Sequence, residues 1–297
     1  MSMHIDGKKV TAMYWGGRKI REAWYGGQRV FSGKPVEVMP PTPNWYAAQD
    51  WLRGRLTEYG ESYQTVKEIP FEIDTGESSN LDSMFRGCSS LTTAPVMDTS
   101  QVTDMQSMFL DCSSLTTVPD MDTSQVTNMM SMFDGCSSLT TAPAMDTSQV
   151  TDMRSMFRGC SSLTTVPDMD TSQATDMQSM FRGCSSLTTV PVMDTRNVTS
   201  MLSMFDGCSS LTTVPDMDTS QVMSMQSMFY DCSSLTTVPD MDTRNVTLMN
   251  DMFRNCSSLT DGNVRLIGKH PSVNTARMIQ DSGLTREPFY DSSGQPI

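Results

Sequence analysis

The sequence predicts an α/β repeat solenoid, and three observations carry that prediction. Cysteine recurs at Cys88, Cys112, Cys136, Cys160, Cys184, Cys208, Cys232 and Cys256, always 24 residues apart. Phenylalanine keeps the same interval from Phe85 to Phe253, and leucine keeps it from Leu91 to Leu259. Proline follows from Pro95 to Pro239. A fixed period of this size marks one structural unit that cannot bury its apolar face alone and must stack on its neighbours. The prediction is a stack of eight 24-residue units over residues 73–260 with degenerate caps.

The unit at residues 96–119 reads VMDTSQVTDMQSMFLDCSSLTTVP. Asp98 with Gln101, and Thr103 with Gln106, have the spacing of capping boxes. The first pair is expected to close a turn, and the second to open a short helical segment through Ser107 to Leu110. Met105, Met108, Phe109 and Cys112 follow helical spacing and are expected to face inward. Only Gly, Asp or Asn precedes each cysteine (Gly87, Asp111, Gly135, Gly159, Gly183, Gly207, Asp231 and Asn255), which points to a left-handed backbone there. Leu115 to Val118 is read as a very short strand ended by Pro119. A period between about 20 and 29 residues makes the stack leucine-rich-repeat-like, and coils ~4.8 Å apart give a curved rod roughly 38 Å long.

Before the first full unit, Ile69-Pro70 and Ile73-Asp74-Thr75 imitate a strand and turn, and residues 39–72 are assigned as linker and N-terminal cap. A proline-rich stretch, Met39 to Pro43, leads to a helix expected to begin at Asn44, with Trp45, Trp51, Leu52 and Leu56 on its apolar side. After the last unit, Met278-Ile279 and Leu284 to Pro288 read as a degenerate ninth coil within a cap of residues 261–297. Residues 1–38 carry a different rhythm. Gly7, Gly17 and Gly27 lie ten apart, aromatic pairs Tyr14-Trp15 and Trp24-Tyr25 precede the glycine turns, and the pattern reads as a small antiparallel β meander. Lys8, Lys9, Arg18, Lys19, Arg21 and Arg29 make it basic and nominate it as an attachment module.

Composition removes several classes of activity. The net charge of −13 disfavours wrapping a phosphate backbone, so no nucleic-acid partner is expected. The two histidines, His4 and His270, lie at opposite ends, which leaves little material for metal centres or acid–base triads. No 18-residue apolar run is present, so no membrane insertion is expected. The opening MSMHIDGKKV has no apolar stretch of the kind a secretory signal needs. Cysteines in an apolar frame read as buried free thiols rather than disulfides or metal ligands. The 29 methionines read as core filler rather than copper ligands, and the DMDTS aspartates as turn caps rather than calcium sites. Every carboxylate of the array has near-copies in its neighbours, whereas catalytic sites are singular. No enzyme activity, cofactor or metal is therefore expected. The sequons at Asn197, Asn245 and Asn255 are read as incidental.

The DTS turn, the VT-x-M segment, the MF pair and the CSSLT block resemble the BspA-like leucine-rich repeats of bacterial surface proteins over about residues 73–260. That resemblance implies surface display and adhesion. Separately, GKKVTAMYWGGRKIREAWYGGQRVF resembles short meanders at the start of phage structural proteins. The combined expectation is a virion protein of a tail tip or fibre. Its N-terminal module would bind other virion proteins, and its solenoid a host surface protein or glycan. The alternatives are an extracellular BspA-like adhesin and a capsid-decorating protein, with a homo-oligomer left open. Positions that vary on a fixed frame nominate the binding face. One row runs Gln106, Met130, Arg154, Gln178, Leu202, Gln226, Asn250, and the other Leu110, Asp134, Arg158, Arg182, Asp206, Tyr230, Arg254. Leu110, Met130, Leu202 and Tyr230 are expected to be exposed there. The competing surface is the threonine strip of Thr92, Thr116 and Thr140.

Overall fold

A computed structural model describes residues 36–40 and 47–297 with their side chains, and the backbone of six short strands between His4 and Phe31. The repeat folds into stacked coils, and its alternate amides explain how. The N–H groups of Met105, Ser107, Phe109 and Asp111 donate to the carbonyls of Asn128, Met130, Met132 and Asp134 in the next coil, at 2.7 to 3.1 Å. Those of Met108, Leu110 and Cys112 turn back three residues within their own coil. Half of the amides therefore close turns and half tie coils together.

This pattern corrects the expected helix from Ser107 to Leu110. An α-helix needs every amide for its own ladder and a φ near about −63°. Here Ser83, Ser107, Ser131, Ser155, Ser179, Ser203, Ser227 and Asp251 all have φ between 52° and 59°. The capping boxes are also replaced. Asp98 Oδ1 accepts from the amide of Ser100 at 3.1 Å, and Asp104 Oδ1 from that of Gln106 at 3.0 Å, so each aspartate closes a turn two residues on. The left-handed position before each cysteine is as expected, with φ from 70° to 79° at the glycines, 60° at Asp111, 57° at Asp231 and 62° at Asn255. The expected strand from Leu115 to Val118 shrinks to single bridging residues, Thr93 to Thr117 and Thr141 to Thr165, because Pro119 has no amide to extend it.

The core is a set of ladders. Phe85 to Phe253 stack with ring centroids 5.3 to 5.8 Å apart and planes within 2° to 6°. The methionines at Met105, Met108 and their repeats are fully buried, as are the cysteines. Each thiol from Cys112 to Cys256 donates to the phenylalanine carbonyl one coil back, Cys112 to Phe85 at 3.0 Å and Cys256 to Phe229 at 2.9 Å. Burial pushes the Cys184 and Cys256 thiols up to about 12, so they stay neutral. A threonine ladder completes the stitching. Buried Thr99, Thr123 and Thr147 donate their hydroxyls to the carbonyls of Asp122, Asp146 and Asp170 in the next coil at 2.8 to 2.9 Å.

Six short strands precede the array: β1 (His4–Ile5), β2 (Lys8–Lys9), β3 (Met13–Trp15), β4 (Arg18–Ile20), β5 (Ala23–Tyr25) and β6 (Gln28–Phe31). Among the described residues they pair as three antiparallel hairpins, β1–β2, β3–β4 and β5–β6. Only β3–β4 joins a larger sheet, in the order β3-β4-β7-β8, through β7 (Val36–Val38) and β8 (Glu72–Asp74). The turn residues Gly7, Gly17 and Gly27 lie outside the described residues. The parallel pairing of β7 with β8 makes Val36–Val38 the first rung of the stack.

The helix, α1 (Ala47–Glu58), buries Leu52 and Leu56 completely. Asn44 and Trp45 lie outside the described residues. Gln49 ties α1 to the first coil by donating to the Arg86 carbonyl at 3.1 Å, and Trp51 meets the Phe71 ring edge-on at 6.2 Å. At the far end β9 (Met241–Asp242), β10 (Leu266–Ile267) and β11 (Phe289–Tyr290) form a parallel sheet. The expected ninth coil is present, since Phe253 and Asn255 donate to the carbonyls of Met278 and Gln280.

Candidate recognition surface

Sculpting a surface from near-identical coils requires positions that the ladders leave free. The two candidate rows occupy such positions, and the coil stack brings each row into a line one coil apart. The structure corrects their exposure. Leu110, Met130, Leu202 and Tyr230 are half-buried rather than exposed, since the coil on either side covers part of each side chain.

Neighbours within the rows are paired across coils. Arg158 lies 3.7 Å from Asp134, and Arg182 lies 3.0 Å from Asp206. The Arg254 guanidinium sits 5.6 Å from the centre of the Tyr230 ring, where the negative face of the ring attracts it. In the row from Gln106 to Asn250, Gln106 accepts from Asn128 of the next coil at 3.0 Å, and Arg154 closes on Asp152 of its own coil at 2.5 Å. Burial pushes the Asp134 carboxyl up to about 6, offset in part by Arg158. Asp206 is raised by burial in the same way and is held back by Arg182. Arg254 Nε is buried with no hydrogen-bond partner. Asp251 beside it is gripped by Arg277 at 2.8 Å.

The exposed apolar residues are elsewhere. Val96, Val192 and Met223 are 75 %, 77 % and 56 % exposed, and Leu248 is 41 % exposed. Sequence reasoning passed over them, although Met223 and Leu248 break positions that are otherwise Thr and Asp, Asn or Ser. Near the first coil, a cleft of about 1010 Å³ opens between β8 and Thr92–Asp98, where Phe71, Ile73 and Val96 meet Glu68, Glu72 and Asp98. Among the described residues no group of three or more His, Cys, Asp or Glu side chains is placed to hold a metal ion. No described helix is long and apolar enough to cross a membrane. The candidate attachment residues Lys8, Lys9, Arg18, Lys19 and Arg29 fall on β2, β4 and β6, while their side chains, and all of Arg21, lie outside the described residues.

The family described as "Mycoplasma protein of unknown function, DUF285" matches residues 79–192, 140–213 and 187–283. No curated protein matches. Among solved structures, the chain is similar to a leucine-rich repeat protein from Eubacterium ventriosum ATCC 27560 at 15 % identity, over 86 % of this chain and 92 % of that one, with a TM-score of 0.34. It is similar at 15 % identity to a leucine rich cell surface protein from Faecalibacterium prausnitzii A2-165, over 94 % and 96 %, with a TM-score of 0.31. A leucine-rich repeat protein from Bacteroides ovatus ATCC 8483 shares 15 % identity over 88 % and 83 %, with a TM-score of 0.27. None of these comparisons supports the virion expectation. The fold itself rests on the ladders of this chain.

Proposed function

The chain belongs to the DUF285 family, and we propose that it is a non-enzymatic recognition protein displayed outside the cell, whose solenoid adheres to a surface protein or glycan. One observation carries the reading. Seven successive coils keep the same ladder of Phe, Met, Cys and Thr, while the row from Leu110 to Arg254 changes charge and shape at every step or two. The pairs Asp134–Arg158, Arg182–Asp206 and Tyr230–Arg254 hold that row rigid, so binding costs little ordering entropy. Display outside the cell is in keeping with the similar Faecalibacterium protein, a leucine rich cell surface protein. The virion alternative rests on the basic ten-residue rhythm of residues 1–35 alone.

The test is adhesion of the purified, fluorescently labelled chain to intact animal and bacterial cells, measured by flow cytometry. The triple variant Arg158→Ala, Arg182→Ala, Tyr230→Ala should lose about tenfold or more in apparent affinity, because Arg and Tyr anchors dominate binding surfaces. Its melting temperature should stay close to that of the parent chain. Equal adhesion by the variant would remove this face from the function, and no adhesion by the parent chain would remove the reading.

A further inference from the structure

Charge is divided unevenly along this chain. Residues 1–35 hold seven Lys and Arg against two acids, a net +5, which leaves −18 for the remainder of a chain at −13. The negative charge has a place. Aspartates at 24-residue steps from Asp98 to Asp242 form one column, and Asp120, Asp168, Asp216 and Asp240 form a second beside it. Both columns sit outside the buried methionines of the same segment, on a face opened by proline.

The two columns differ in what they do for the fold. The first is used, since each carboxylate closes its own turn, as Asp146 does with the amide of Ser148 at 3.0 Å. The second is not used in three of its four members. Asp120, Asp168 and Asp216 are exposed and, among the described residues, have neither a hydrogen bond nor an ion pair, whereas Asp240 is paired with Arg265 at 3.2 Å. Among the described residues, the backbone amides of this segment, from Val96–Asp98 through Asp216–Asp218, also donate to no backbone carbonyl. The face is an open, acidic, sheet-like surface with unspent amides and carboxylates.

We propose that this face is the docking surface for the basic N-terminal module of a second copy of the chain, in a head-to-tail contact. Charge complementarity selects the occupant, and the sheet order sets β4 of the same copy apart from the acidic face. Strand β4, with Arg18 and Lys19, lies beyond β7 and β8, on the side of β8 away from the coils. At about 4.8 Å per strand or coil it is roughly 19 Å from Asp120 and roughly 38 Å from Asp216 of its own chain. Those separations exceed the screening length of about 10 Å at 0.1 M salt. A contact between unlike faces does not close on itself as a two-fold dimer does; it continues into a ring or a filament. This self-association uses a face other than the recognition row and does not depend on the adhesion reading.

The test is sedimentation velocity of the full chain at several concentrations, between about 0.02 and 0.5 M salt, a range that spans strong and weak screening. The parent chain should associate at low salt and dissociate at high salt, with self-affinity falling at least tenfold. One variant is Asp120→Lys, Asp168→Lys, Asp216→Lys, at side chains with no structural partner; the other is Lys8→Glu, Arg18→Glu, Lys19→Glu. Each should be monomeric alone at low salt, with unchanged circular dichroism, and an equimolar mixture should associate. A parent chain that stays monomeric at low salt overturns the proposal. So does association that survives in either variant, or a mixture that remains monomeric.

Discussion

At the scale of single residues, Asp134 sets two effects against each other. Its carboxyl is drawn down onto the coil stack and is pushed up to about 6 by burial, while Arg158 at 3.7 Å pulls the other way without winning. The folded state therefore holds the Asp134 proton more tightly than the unfolded chain does. Stability from this group is greatest at low pH and is lost as pH rises from about 4 through about 6. The turn-closing aspartates act in the opposite sense. Hydrogen bonds from Ser124 hold the Asp122 carboxyl low, so its contribution is present above the ordinary carboxylate range and fades as pH falls below it. Asp134→Asn keeps the shape and removes the burial cost of the charge. It should raise the melting temperature at pH 7.5, with the difference from the parent chain vanishing near pH 4. A lower melting temperature at pH 7.5 would show that the Arg158 pair outweighs desolvation.

At the scale of elements, the left-handed residues decide the path of each coil. The Gly, Asp and Asn series before each cysteine was legible in the sequence because only those residues tolerate that backbone cheaply. The serine series from Ser83 to Ser227 was not legible, since serine carries no such signature and its spacing from Met and Phe imitates a helix. The period of the core fixed the stacking, while the local hydrogen bonding was hidden because coils exchange amides with neighbours 24 residues away. The buried threonine stitches were equally hidden, as threonine reads as a surface strand former. The candidate rows were legible as variation on a constant frame; their half-burial was not, because cover by adjacent coils has no local signal. Gly159 tests the turn argument. Its φ is 70°, and an added Cβ would meet the Gly135 backbone at an ordinary 3.5 Å, so the cost of a side chain is conformational rather than steric. Gly159→Ala should cost about 1 kcal/mol in chemical denaturation. Gly159→Asn should cost less, since Asn255 occupies the same position at φ 62°. Equal losses would mean that the space between coils is tighter than the geometry indicates.

At the scale of the whole molecule, stability is a sum over coils and the interfaces between them, because each coil touches only its neighbours. Every ladder repeats at 24 residues, so removing residues 144–167 should bring Phe133 onto Phe181, Cys136 onto Cys184 and Asp134 onto Arg182 without mismatch. The amide of Ser131 would then donate to the Gln178 carbonyl in place of that of Arg154. The shortened chain should fold cooperatively, with a lower melting temperature and a rod shorter by about 4.8 Å in small-angle scattering. Its denaturant m-value should fall by roughly the share of surface removed. Deleting only residues 144–155 should be far more damaging, because half a coil places polar turn residues where the Phe and Met ladders run. Both ends must remain for either result to be informative. Without α1 the first coil would lose the bond from Gln49 to the Arg86 carbonyl, and without the ninth coil the Phe253 amide would lose the Met278 carbonyl. If the 24-residue deletion aggregates while both caps are intact, the coils are coupled over more than one neighbour, and a purely nearest-neighbour account of the stack fails.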